Sequence, residues 1–266
     1  MSSPRSPLNA VVLAGGGADD PLARGAGTAA KALVPIEGAP MGAYVCSALR
    51  ASGVIDRIVY VGPSDPGVAP LVDAVVPAGR RMVDSMALGF GAALAAEGDA
   101  AGGARLLMVT ADVPWWSAAG VATFVEQAPD VDLVYPVVSA ETALTTFPNQ
   151  RRTFARLADG RFTGGNAVLL SHAGALALLP VIDAAFQARK APWRLARLIG
   201  FDVVWALATR RARIAALEAR VSGILGVAAR VYLSDDAAIA ADVADPRQLT
   251  AEAMQGPPLA ALVGAP

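Results

Sequence analysis

The sequence predicts an α/β protein: three layers, α/β/α, around a mostly parallel sheet, with a late hairpin and a helical insertion. Three features of the 266 residues predict it. Short apolar runs alternate with runs of helical spacing, the order that builds a sheet with helices on its faces. The apolar runs are nearly continuous rather than alternating, which marks strands buried on both sides. From residue 151 onward the alternation gives way to an Asp-Gly turn signal and then to helix-rich sequence.

Taken in order, "NAVVLA" (9–14) is a buried strand. Apolar residues at Met41, Tyr44, Val45, Ala48 and Leu49 predict a helix that Gly53 ends. "DRIVYVG" (56–62) and "LVDAVVPAG" (71–79) are the second and third strands, and "VDSMALGFGAALAAEG" (83–98) is helical. "ARLLMVTAD" (104–112) is the most apolar strand. "SAAGVATFVEQA" (117–128) is a helix with Ser117 as N-cap. "VDLVYPVV" (131–138) is another strand, and 151–171 holds two short strands about "ADGR". Residues 172–225 are helix-rich and carry arginines at 189, 194, 197, 210, 211, 213 and 220. "ARVYLSD" (229–235) is the last strand, and 245–254 forms a short helix. We read one domain over 1–266, with its core in 1–170 and 226–254. The segment 171–225 is an insertion, serving as a lid or a dimer face. Trp115, Trp116, Trp193 and Trp205 are expected as core or interface anchors.

Composition excludes several classes. A net charge of -1 with 17% charged residues leaves no electrostatic footprint for nucleic acid or an anionic membrane. One cysteine, Cys46, builds neither a disulfide framework nor a zinc site. One histidine, His172, argues against a Ser-His-Asp triad and receives no chemistry. The N-terminus lacks a signal-peptide apolar core. The apolar stretch Leu198 to Ala208 contains Asp202 and falls short of the roughly 20 residues a bilayer requires. The expectation is a soluble, cytoplasmic protein without stable membrane insertion.

The first strand stops at Gly15, Gly16 and Gly17, and Lys31 stands alone before "ALVPIEG". A glycine-rich loop after a first strand lets backbone N–H groups approach phosphate. Two common phosphate loops do not fit. Counted from Gly25, the P-loop pattern finds Ala30 at its second glycine and Ala32 where a hydroxyl belongs. The dinucleotide pattern fails because Asp20 follows Gly15 and Gly17 where the third glycine belongs.

What remains is L-A-G-G-G, a spacer carrying Arg24, and K-A-L-V-P-I-E-G-A-P-M. This resembles the signature of the MobA-like nucleotidyltransferases, in the GT-A-like NTP transferase superfamily with its sugar-phosphate and cytidylyl relatives. The resemblance implies a Rossmann-like sheet and assigns nucleotide binding to Leu13, Ala14, Gly15, Gly16 and Gly17. It makes Lys31 and Arg24 the cations that neutralise the triphosphate and the departing pyrophosphate. Independent physics agrees, because such transfers depend on positioning and charge neutralisation.

Asp112 ends the most apolar strand, where ligands of parallel sheets bind. It matches the family's strand-end x-D-x-P, which implies a role as catalytic metal ligand. "DVADPRQL" resembles the family's late D-V-D-T-P-E-D-L, so Asp242 carries over as second ligand while Ala244 replaces the second aspartate. The implied cofactor is Mg²⁺, a hard ion held by one or two carboxylates against substrate phosphates. Ser85, in a segment like the family's base-reading loop, is assigned to the base or ribose. Arg152, Gly165 and Asn166 are assigned to the acceptor. The residues alone also allow plainer readings: a turn for the glycines, a cap for Asp112 or Ser85, a solvated pair for Arg151 and Arg152, a bulged hairpin for 164–166.

The resemblance implies a Mg²⁺-dependent transfer of NMP from an NTP to a phosphorylated small-molecule acceptor, releasing pyrophosphate. A molybdopterin guanylyl- or cytidylyltransferase leads, followed by a sugar- or alcohol-phosphate nucleotidyltransferase. A GT-A glycosyltransferase stands lower, because a D-x-D motif is missing at Asp112. A non-catalytic nucleotide-binding regulator needs two distant carboxylates less. The NTP base stays open, and a homodimer through the insertion is compatible with the sequence.

Overall fold

The computed structural model describes residues 8–95, 105–150, 152–188, 192–244 and 259. Strands β1 (Leu8–Leu13), β4 (Ile55–Val61), β5 (Ala74–Val76) and β6 (Arg105–Thr110) lie parallel in the order β5-β4-β1-β6. Between β4 and β1 in sequence come two-residue strands β2 (Pro35–Ile36) and β3 (Ala39–Pro40), which pair with each other.

The second half of the sheet departs from a simple parallel order. β10 (Ala167–Ser171) runs antiparallel between β6 and β7 (Leu133–Ser139). β7 then pairs its far end with β9 (Gly160–Gly164), which forms a hairpin with β8 (Ala155–Leu157). β11 (Ala229–Ser234) runs parallel along the other edge of β7. The sheet is therefore mixed, with its parallel strands in the majority. The predicted 151–171 hairpin is β8–β9, and β10 is a third strand beyond it.

Each face of the sheet builds its own core. On β1, Ala10 and Val12 point to one side and Val11 to the other, as period-2 geometry requires. The first core takes α2 (Met41–Ala51) and α4 (Ala118–Gln127), with Trp115, Trp116 and Phe124 among its largest buried side chains. The second takes α3 (Met82–Ala95), α6 (His172–Ala188) and α9 (Ile214–Leu225). α3 lies close on the sheet because Gly89 has no side chain: a Cβ there would stand 2.4 Å from Val11 Cγ1.

Two helices were not read from the sequence. α1 (Pro21–Ala26) has Asp20 accepting from the N–H groups of Leu22 and Ala23, proline at its start and Gly27 at φ 68° closing it. α5 (Ala140–Thr146) is capped by Ser139. The insertion is helical as predicted, adding α7 (Pro192–Ile199) and α8 (Phe201–Ala208). His172 opens α6 and meets Phe90 edge-on at 5.5 Å. Trp115 and Trp116 are core residues, whereas Trp193 and Trp205 stand exposed. Among the described residues no helix is long and apolar enough to cross a membrane. The predicted 245–254 helix and Arg151 lie outside the described residues.

Candidate active site

The site forms where β1 and β6 end side by side. The Ala111 N–H donates to the Leu13 carbonyl, which holds Gly15 and Asp112 on adjacent strand ends. Beyond β1, the glycine loop turns back and is tied to the lysine segment: Lys31 N–H donates to Gly16 O, and Gly17 bridges Ala30. Backbone pairing therefore aims Lys31 across the loop. Its Nζ donates to Asp112 Oδ2 at 2.5 Å, with both side chains largely buried. About 80 residues of intervening chain make this pair invisible to local pattern reading.

A cleft of ≈ 290 Å³ opens here. Leu13, Ala14, Gly15, Gly16, Lys31, Ser85, Thr110 and Asp112 line it, joined by Gly79, Arg80 and Arg81. Glycine at 15 relieves packing as well as giving access, since a Cβ would lie 3.0 Å from Ala78 Cβ and 3.4 Å from Ser85 Oγ. Ser85 is buried, and its hydroxyl accepts from the Gly79 N–H at 3.0 Å. It thus shapes the loop 79–81 at the cleft's edge, and helix capping falls to Asp84, which accepts from the Arg81 N–H.

The second predicted carboxylate arrives from the far end of the chain. Val243 N–H donates to the Asp112 carbonyl at 2.9 Å, so residues 242–243 lie against the end of β6. Asp242 accepts from Arg152 Nη2 at 3.0 Å, and the Gln150 amide holds the Asp242 carbonyl. Burial, with the Asp112 charge adding to it, pushes the Asp242 carboxyl above its ordinary range against the opposing pull of Arg152 and Lys31. Burial also lowers the Arg152 pKa, against Asp242, Tyr135 and Asp112. Arg152 Nη1 is buried and finds no hydrogen-bond partner among the described residues. An orphaned guanidinium donor of this kind is a ready anion site.

A polar network fixes Asp112. Thr110 Oγ1 donates to Asp112 Oδ1 at 2.5 Å, and Asn166 Nδ2 reaches Thr110 Oγ1 at 3.3 Å and Asp112 Oδ1 at 3.5 Å. Asn166 was assigned to the acceptor; in the structure its amide orients the strand-end carboxylate. Gly165 keeps its N–H on Pro136 O and cannot carry a side chain, since a Cβ would be 2.9 Å from Pro136 Cγ.

The structure brings Leu13, Ala14, Gly15, Gly16, Lys31, Ser85, Asp112, Arg152, Asn166 and Asp242 into one region. Six assigned residues fall outside the cleft lining: Arg152 and Asp242 stand beside the end of β6, Gly165 and Asn166 line a neighbouring space, and Gly17 and Arg24 lie elsewhere. Gly17 is taken up by its bridge to Ala30. Arg24 lies on α1 and turns outward, donating to Asp19 O at 3.1 Å and pairing with the exposed Asp19 carboxylate at 3.8 Å. Arg80 and Arg81 are the arginines that line the cleft. Thr110 was missed although it carried a signal, because residues i and i+2 of a strand share a face. Gln150 had none.

Asp112 and Asp242 form an all-oxygen donor pair without histidine or thiolate. That chemistry fits Mg²⁺, which uses few protein ligands and completes its shell with phosphates and water. Among the described residues no group of three or more His, Cys, Asp or Glu could hold a metal on its own.

A glycine loop, a lysine and a strand-end aspartate at the carboxyl edge of a Rossmann-like sheet define a nucleotide-handling transferase. Over residues 10–219 the chain matches the model of the MobA-like NTP transferase domain, and it belongs to that family. It is an enzyme of the nucleotidyltransferase type. A solved structure described as a hypothetical transferase from Thermus thermophilus is 36% identical, with a TM-score of 0.80 over 91% of this chain and 99% of that one. The structure of 4-diphosphocytidyl-2C-methyl-D-erythritol synthase shares the fold at 15% identity, with a TM-score of 0.52 over 92% and 95% of the two chains. Among curated proteins none matches at a significant level.

Proposed function

We propose that this protein transfers a nucleoside monophosphate from an NTP to a phosphorylated small-molecule acceptor, in a Mg²⁺-dependent reaction that releases pyrophosphate. The meeting of Lys31 and Asp112 at the glycine loop, with Asp242 beside Asp112, carries this reading. Gly15 and Gly16 admit the triphosphate to the backbone. Lys31, held on Asp112 by charge, moves onto phosphate oxygens as they enter and neutralises the leaving pyrophosphate. Asp112 and Asp242 would hold Mg²⁺, which when bound supplies charge neutralisation at the reacting phosphates. Thr110 and Asn166 keep Asp112 in one orientation. The orphaned Arg152 donor suits the acceptor's phosphate. A molybdopterin guanylyl- or cytidylyltransferase is one form of this reaction. An alcohol-phosphate nucleotidyltransferase is the other, and the cavity described below favours it.

The test is thermal shift with GTP, CTP, ATP and UTP, each with and without Mg²⁺, on wild type and Asp112→Ala. A ligand at 100 times its Kd adds about 2.7 kcal/mol. One nucleotide should stabilise wild type with Mg²⁺, and Asp112→Ala should lose the gain. A folded wild type that no NTP shifts would sink the proposal.

A further inference from the structure

Behind the cleft lies a larger cavity of ≈ 780 Å³. Its floor is the second face of the sheet, from β6 across β10 and β7 to β11, and α6, α8 and α9 roof it. The side chains are mostly apolar: Met86 and Met108 at one end, Leu178 and Leu207 above, Leu217 and Val221 from α9. Its two charged residues are engaged elsewhere. Glu218 Oε1 accepts from Val231 N–H at 2.7 Å, and Arg230 Nη1 donates to Ala229 O at 2.9 Å.

Polar groups collect where the cavity meets the cleft. Thr110 and Asn166, which orient Asp112, line it. Leu13, Met82 and Thr110 line both spaces, so the two adjoin at the end of β6. Tyr135 also faces the cavity, within electrostatic reach of Arg152.

The space is partly open to solvent, with Tyr135 and Val221 exposed at its edge. Water in an apolar cavity gives up hydrogen bonds that the walls do not return. A space of this size falls in the range of small-molecule sites, and its surface selects hydrocarbon. We propose that the acceptor is a phosphate monoester with a hydrocarbon tail. The tail fills the cavity between the sheet and α9, and the phosphate emerges beside Asn166 and Asp112. This rests on the nucleotidyltransferase reading above. In the step, an oxygen of the acceptor's phosphate dianion forms a bond to the α-phosphorus. The bridging bond from that phosphorus to the β-phosphate oxygen breaks, and pyrophosphate leaves with the electron pair. The product is a nucleoside diphosphate ester of the tail alcohol, and no net proton moves.

Two measurements test it on the full chain. First, calorimetry compares butyl, hexyl, octyl and decyl phosphate, octanol and inorganic phosphate, without turnover. Affinity should rise about threefold to fourfold per methylene, as burial of a CH₂ predicts. Leu217→Asp should flatten that dependence while the NTP-induced thermal shift stays. Val221→Arg, at an exposed position, serves if Leu217→Asp does not fold. Second, pyrophosphate release with the stabilising NTP compares the same series with glucose 1-phosphate and glycerol 3-phosphate. The alkyl phosphates should lead by at least about a hundredfold in kcat/KM. Chain-length-independent binding, or a preference for the sugar phosphate, overturns the tail site. If no NTP binds but alkyl phosphates do so with the expected slope, the donor reading fails and the tail site stands.

Discussion

Two spaces share the wall formed by α3 and the end of β6, and they are built on opposite principles. The cleft is small, and the polar side chains in and beside it are committed to one another: Lys31 to Asp112, Arg152 to Asp242, Asn166 to Thr110. The cavity is more than twice as large, and its apolar walls make no directional bonds. The contrast separates two tasks. Holding phosphates for transfer requires groups placed to within a fraction of an ångström. Choosing an acceptor by its apolar part requires only volume and the absence of competing polar groups. Substitutions on the two sides should therefore fail differently.

The largest effect belongs to the cleft. Lys31→Ala and Asp112→Asn should each lower kcat for pyrophosphate release by about 10²–10³ while leaving the circular dichroism spectrum native, since each removes charge where it develops. If either variant keeps more than a tenth of wild-type kcat, the cleft is not the reaction centre.

Next comes packing. Leu107→Ala, in the fully buried first core, should cost about 2–5 kcal/mol in denaturant unfolding. Leu217→Ala borders the cavity and should cost under about 1 kcal/mol, because one wall of that side chain has no packed neighbours to lose. Equal costs would mean that the cavity is ordinary core.

Asn166→Ala sharpens the comparison at the shared wall. It should cut kcat by about 10–100-fold, the usual loss when a residue that orients a ligating group is removed, while KM for the NTP changes less. Thr110→Val should act through the same chain, and the double variant should be less than additive. Additive losses would show that Asn166 acts on substrate instead.

The smallest effect lies at the cleft rim. Arg81 pairs with Asp84 and with Asp183 of α6, tying the nucleotide loop to the insertion. The hydrogen bond from Arg81 holds the Asp84 carboxyl below the usual aspartate range. A carboxyl lowered in the folded state stabilises above its unfolded pKa, near 3.8, and loses that contribution as pH falls through the lower folded value. Asp84→Ala should therefore reduce Tm by at most about 2 °C at pH 7, less in high salt, and the difference should shrink as pH falls below 3.8. A gap that does not change with pH would assign the effect to packing or helix propensity rather than to the Asp84 charge.

Much of the polar side was legible in the sequence because its parts are local. Gly15–Gly17 follow an apolar strand, Lys31 precedes a distinctive run, and Asp112 ends the most apolar strand. Asp242 was legible only through the family pattern, for nothing local marks it as a partner of Asp112. That Arg24 sits on a helix facing Asp19 was not legible, because the cap signal of Asp20 and Pro21 was overshadowed by the glycines. The direction of β10 was not legible: five apolar residues read the same way in either orientation. The cavity was invisible for a related reason. Its residues come from many segments, and each reads as core until the chain folds and leaves them facing space.

The late arrival of Asp242 has a consequence for synthesis. It is translated about 130 residues after Asp112, and β11, which completes the edge of β7, is made only shortly before. At common elongation rates that interval is on the order of ten seconds. Through that time the glycine loop, Lys31 and Asp112 precede the carboxylate that the proposed metal site requires, so under the proposed function the site is completed only in one late event.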